Sequence, residues 1–225
     1  MHIEPGIVQG AKLLLGFGTA LTAGGLVLRQ CQEFLVQYGL STLLGRTICT
    51  SLLVFSFFEI FPSSPVGVSE VHLILGSTLF LLFGLVPTAL GLAIGLLAQG
   101  ILLAPLDLPQ YGMNVTTFLL PLFLVSAVAK RIIPRKTAYR NLNYGQVLQL
   151  SLVYQGGIVS WVAFWAFYSQ GFGAENIAQV LSFGNTYLTM IVLEPLINLS
   201  LLAGAKAFPA LNSSSLLSGR LFQPA

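Results

Sequence analysis

The sequence predicts an all-α integral membrane protein of about seven transmembrane helices, with the N-terminus outside and the C-terminus inside. Three observations carry this. First, 55% of the 225 residues are hydrophobic and only 8% are charged, giving a mean hydropathy of +0.85. Soluble domains carry about 25% charged residues, so the apolar surface of this chain must face lipid. Second, the apolar residues fall in runs of roughly 20, the length a helix needs to cross a hydrocarbon core of ~30 Å. Third, the charges are sorted by sign between the loops at the two ends of those runs.

The first run covers about residues 7–28 and the second about 40–61, closed by Pro62. The stretch 71–103 is too long for one span. It breaks near 84–87, at Gly84 and Pro87, into a third and a fourth. The fifth covers about 115–128, the sixth about 147–168 and the seventh about 177–202. Lipid offers no hydrogen bonds, so each run must satisfy its own backbone as a helix. The alternation of a membrane β-barrel is absent. Gly16, Gly18, Gly91 and Gly95 suit close helix packing. Cys31 and Cys49 have no metal or redox spacing and read as apolar filler. The whole chain, 1–225, reads as a single membrane-embedded domain, with a flexible tail over 206–225 that is Ser-rich from 212 to 218.

Orientation follows from the cations. Lys130, Arg131, Arg135, Lys136 and Arg140 sit in one loop. Placing that loop inside also places Arg29, Lys206 and Arg220 inside, as the positive-inside rule requires. Glu4, Glu59, Glu70, Asp107 and Glu175 then lie at the outer face, where they would concentrate cations. The basic loop lacks interleaved aromatic side chains apart from Tyr139, so it is a topology signal rather than a nucleic-acid surface. The first ten residues contain an acid and no base, unlike a secretory signal. We expect no cleavage and a retained Met1.

There are two histidines, His2 and His72. The topology puts both at the outer face. A histidine in second position has a particular chelating capacity. The Met1 amine, the deprotonated His2 amide and a His2 ring nitrogen close two adjacent chelate rings on one metal. The fourth corner stays open for His72. Tetragonal nitrogen coordination suits Ni(II) and Cu(II) and can hold Co(II). The plain alternatives are an ordinary second residue and an interfacial histidine at a helix mouth.

Three stretches resemble the CbiM/NikM family, the substrate-binding membrane components of energy-coupling factor (ECF) ABC transporters for cobalt and nickel. Met1-His2-Ile3, followed by Gly6, is similar to the family's Met-His-Ile start. Pro65-Val66-Gly67-Val68-Ser69-Glu70-Val71-His72-Leu73 resembles its Pro-Val-Gly-Gly-Thr-Ser-X-His-Leu segment. Gln99 with Gly112-Met113-Asn114 is similar to its Gln-containing helix followed by Gly-X-Asn. These matches run from residue 1 to about 120; the second half matches in general character. The resemblance implies that the metal is held by Met1, His2 and His72. It implies that Ser69 and Asn114 orient the ligands or the N-terminal segment. Val68 replaces the family's second loop glycine and Glu70 its serine. These changes stiffen the loop and add a carboxylate.

The resemblance also implies uptake of Co(II) or Ni(II) as transported substrate across the cytoplasmic membrane, with no organic cofactor. Its implied partners are a coupling transmembrane protein, cytoplasmic ATPases and a small accessory membrane subunit. The sequence has no Gly-X-X-X-X-Gly-Lys-Ser/Thr loop, so ATP hydrolysis falls to other subunits and the chain is not an enzyme. Within the spans, Arg46 and Glu194 stand out as charges in lipid. Snorkelling to the inner interface is the plain reading of each, and an Arg46–Glu194 ion pair is the sharper one. The alternative functions are a vitamin-binding component of the same transporter class and a membrane scaffold without a transport role.

Overall fold

The computed structural model describes Ile3 and residues 6–60 and 63–224. Its order is α1 (Leu13–Glu59), β1 (Ser64–Val66), β2 (Ser69–Val71), α2 (Gly76–Phe83), α3 (Leu85–Leu102), α4 (Tyr111–Ile132), α5 (Tyr144–Gln170), α6 (Ala174–Ala207) and α7 (Gly219–Phe222), joined in part by short 3-10 turns. Among the described residues, five helical segments are long and apolar enough to cross a bilayer: Gly10–Glu59, Leu85–Leu102, Pro105–Ile132, Tyr144–Gln170 and Ala174–Ala207. Two features separate this from the expected set of about seven spans.

The first is α1, which runs through both of the first two expected spans. Residues 29–38 read as a loop by hydropathy, yet they are mostly good helix formers and stay helical. The break comes at Gly39, with φ 79 and ψ 167, a region that glycine enters without steric cost. In an unbroken helix Arg46 would lie roughly 18 Å along the axis from Phe34. Its guanidinium instead lies 5.8 Å from the Phe34 ring and 5.5 Å from the Tyr38 ring. The chain therefore doubles back at Gly39.

The second is the expected third span. Its helical part is α2, of 8 residues, about 12 Å long and too short to cross lipid alone. Residues 72–75, which lead into it, are neither helix nor strand. Unwound backbone at membrane depth is tolerated only inside protein, and His72, Ile74 and Leu75 are all buried. Gly84, with φ 88, ends α2 and starts α3.

The tail expected to be flexible is not a free end. The Ser218 amide donates to the Leu82 carbonyl at 2.7 Å, and Leu221 and Phe222 of α7 are buried. The Ser-rich composition hid this because the anchoring residues are the few apolar ones.

Glycines set the closest helix approaches. A Cβ added to Gly91 would lie 2.1 Å from Thr50 Oγ1, and one on Gly95 would lie 2.7 Å from Val54 Cγ1. These pin α3 to the second arm of α1. A Cβ on Gly112 would lie 2.9 Å from the Gly16 carbonyl oxygen, which pins α4 to the first arm. Gly18 has nothing within 4 Å and plays no such part. Gly91→Ala is expected to destabilise the purified protein by about 1–3 kcal/mol through overpacking. Gly24→Ala, which meets nothing within 4 Å, leaves stability unchanged or slightly higher; thermal unfolding in detergent compares the two.

Candidate functional site

The site is built around a hairpin. β1 and β2 pair antiparallel, Ser64 with Val71 and Val66 with Ser69. Gly67 opens the two-residue turn with φ 62, the glycine position of a tight hairpin turn. A Cβ there would lie 2.2 Å from the Gln179 carbonyl oxygen, so the turn rests directly on the α6 backbone. β2 is not left with a bare edge, because Ile3 bridges Ser69 in antiparallel sense. The Ile3 amide also donates to Asn114 Oδ1 at 3.0 Å. Ile3 itself is buried with Val8, Met113 and Trp165. Further along, the Ser169 hydroxyl donates to the Ile7 carbonyl. Lys12 Nζ donates to the carbonyls of Tyr168 and Ser169 at 3.2 and 2.8 Å. The described part of the N-terminal segment is thus tied to β2, α4 and the end of α5.

His72 follows β2 directly. It is 3% exposed. Its Nε2 lies 2.9 Å from Glu70 Oε2, and its ring meets Phe58 edge-on with centroids 5.0 Å apart. A carboxylate on one ring nitrogen fixes the tautomer and raises the basicity of the other, the pattern found behind ligating histidines.

Beneath His72, the unwound backbone is bonded by side chains from two helices. Tyr187 of α6 donates its hydroxyl to the His72 carbonyl at 3.2 Å. Gln155 of α5 donates to the Ile74 carbonyl at 3.0 Å and to Glu194 Oε2 at 3.0 Å. Glu194 Oε1 accepts the Ser77 amide at 3.0 Å. That amide belongs to the first turn of α2, whose own N-cap residue provides no side-chain bond. Glu194 thus caps α2 from another helix, its carboxyl oxygen accepting at the positive end of the helix dipole. Ser77 Oγ accepts from Asn198 Nδ2 at 3.0 Å and lies 3.3 Å from Ser151 Oγ. The Tyr154 ring covers Gly76 so closely that a Cβ there would lie 1.9 Å from it.

Of the residues singled out by sequence, Met1 and His2 lie outside the described residues. His72, Ser69 and Asn114 converge on the hairpin, the last two through Ile3. Arg46 and Glu194 do not meet, which corrects the expected ion pair. Arg46 Nε donates to the Ser215 carbonyl at 2.9 Å, and its NH1 lies 3.5 Å from the Phe83 carbonyl oxygen at the far end of α2. The two charges bracket the ends of one short helix. Tyr187, Gln155 and Ser77 were not singled out by sequence; the signal available was their polarity within apolar runs. Among the described residues, no three His, Cys, Asp or Glu gather where a metal could bind.

Removing the Glu194 carboxylate leaves the Ser77 amide and the Gln155 amide group short of an acceptor in a fully buried site. Glu194→Leu is expected to cost about 1–3 kcal/mol for each orphaned group. Glu194→Gln, which keeps one acceptor, costs less. Unfolding in detergent measures both, and equal stability of Glu194→Leu and wild type would show that the cap is unimportant.

Comparison with curated proteins and with solved structures gives no match. A family model described as the cobalt uptake substrate-specific transmembrane region matches residues 2–209. That interval takes in the Ile3 docking, the hairpin, the unwound segment and the polar cluster beneath it, and on this match the chain belongs to the CbiM family, a membrane component of cobalt uptake.

Proposed function

We propose that this protein captures Co(II), or Ni(II) of like nitrogen chemistry, at its outer face, through the Met1 amine, the His2 amide and ring nitrogens, and His72. The observation that carries this reading is the docking of Ile3 onto Asn114 and Ser69. Ile3 is the covalent neighbour of His2, and Ser69 lies on the strand that leads into His72. With no cluster of three ligating side chains among the described residues, a metal here draws on backbone and terminal nitrogens. Four nitrogens in a plane favour Ni(II) and accept Co(II), whereas Mg(II) takes oxygen ligands. Glu70 sets the orientation of the His72 ring, Ser69 holds the N-terminal segment to the hairpin and Asn114 holds it to α4.

In this reading the chain is the metal-capturing component of an ECF-type ABC transporter in the cytoplasmic membrane. A coupling transmembrane protein, cytoplasmic ATPases and a small accessory membrane subunit complete it. The support is the family match together with the absence of a phosphate loop from the sequence.

The direct test is cobalt and nickel titration of the purified protein with Met1 as its first residue. A variant extended by one Gly before Met1 and a His72→Ala variant are each expected to lose binding by 100-fold or more, on the order of 3 kcal/mol. Equal binding by the extended form would remove the terminal amine from the ligand set. Binding also releases protons, since the amine titrates near pH 8 and histidine near 6.5 in reference peptides, at about those values. The ligating forms are the deprotonated ones. Affinity is therefore greatest above about pH 8 and falls steeply towards about pH 5. A flat profile over that interval, measured by the same titration, would sink the nitrogen ligand set.

A further inference from the structure

At the other end of the bundle, the helix ends and the returned tail enclose a cavity of about 540 Å³. Ligand pockets span roughly 300–1,000 Å³. Its polar lining comes from separated parts of the chain: Gln30 and Gln37 of α1, Ser126 and Lys130 of α4, Arg135 of the basic loop, and Arg220 of α7. Among the described residues that line it, none is acidic.

The plain explanation for these cations is topology, helped by the favourable placement of Lys130 and Arg131 at the C-terminus of α4. Two observations exceed it. Arg220 lies far along the chain from the basic loop, yet its guanidinium donates to the carbonyls of Arg135 and Pro134, at 2.6 and 3.0 Å, and lies 5.5 Å from the Tyr139 ring. The tail is held in place for it by the Ser218–Leu82 bond. Burial pushes the Tyr139 phenol above its usual range, with the neighbouring Arg220 guanidinium opposing the rise. In addition, the cavity adjoins lipid-facing surface. Gln37 and Tyr38 line it, while their neighbours Val36 and Leu40 are 91% and 60% exposed. A molecule with a phosphate head and apolar chains satisfies both surfaces together. A free anion satisfies only one.

We infer that this cavity binds the headgroup of an anionic phospholipid, its phosphodiester held by Lys130, Arg135 and Arg220 and its acyl chains lying along the outer side of α1. Basic pockets between helices at a membrane surface recognise such headgroups, and each cation near the surface contributes roughly five-fold in affinity. The inference is independent of the metal site.

The test is native mass spectrometry of the full-length protein in detergent, titrated with dioleoylphosphatidylglycerol or dioleoylphosphatidylcholine. Wild type is expected to retain one phosphatidylglycerol with at least ten-fold preference over phosphatidylcholine. Lys130→Gln with Arg135→Gln should weaken that binding roughly ten-fold or more. Arg131→Gln with Lys136→Gln removes the same charge from the adjacent positions of α4 and the basic loop, outside the cavity lining, and should change it less than two-fold. Ser126→Leu, which fills the cavity without altering charge, should weaken it as well. Equal weakening by the two charge pairs would reduce the cations to a diffuse topology signal and overturn the site. So would equal affinity for the two lipids. Release of bound lipid by low-millimolar inorganic phosphate, or binding of phosphate without lipid preference, would assign the cavity to a free anion and overturn the lipid reading.

Discussion

A stretch of chain that is not helical, buried in the interior of a membrane bundle, is the constraint to which the rest of the structure answers. Residues 72–75 expose amide and carbonyl groups where there is no water. Each such group left unbonded costs several kcal/mol in lipid. Two side chains, Tyr187 and Gln155, donate to carbonyls of this stretch, the Ile74 amide turns back to the His72 carbonyl, and Glu194 accepts from the Ser77 amide in the helix that follows. Their positions explain why α5 and α6 carry polar residues in the middle of apolar runs. Tyr154, also on α5, occupies the space a Cβ on Gly76 would take, so that position is glycine.

The same constraint accounts for the two intramembrane charges. A short helix with both ends inside the bundle has unsatisfied groups at each end, positive at the first turn and negative at the last. Glu194 answers the first and Arg46 the second. They lie about 12 Å apart along α2. Each charge is offset by a helix terminus and by further hydrogen bonds, so neither requires the other. Arg46 gains a second role through Ser215, which joins the returning tail to α1.

Much of this was legible in the sequence, and the illegible parts have a common cause. Hydropathy and charge placement gave the all-α membrane class, because lipid leaves few alternatives. The residues around His72, Pro65 to Leu73, were legible through their resemblance to a family segment; the hairpin itself, turning at Gly67, was not read from the sequence. Hydropathy cannot see where backbone is unwound, so residues 72–75 passed as the start of a span. It reads Arg46 and Glu194 only by depth, and depth alone offers snorkelling or an ion pair but not the two ends of a short helix. It also cannot weigh two buried residues, Leu221 and Phe222, against a Ser-rich tail. In each case the missing information is which groups must be satisfied by neighbours distant in sequence.

The proposed capture of a cation by a chain terminus would place a particular demand on the remaining ligand. An amine, an amide and an imidazole from two adjacent residues form a chelate with little outside help, so discrimination rests on the fourth position being held in place. His72 is held from every direction. Glu70 fixes its ring, Phe58 meets it edge-on, Tyr187 bonds its carbonyl, Gln155 bonds the carbonyl of Ile74, and Glu194 caps the helix that follows. Such pre-organisation lowers the ordering cost of binding. It also limits which geometries the metal can impose, since the loop cannot adjust without orphaning a buried backbone group. In the proposed reading, the buried polar cluster is therefore part of the site's selectivity, although none of its members is a ligand.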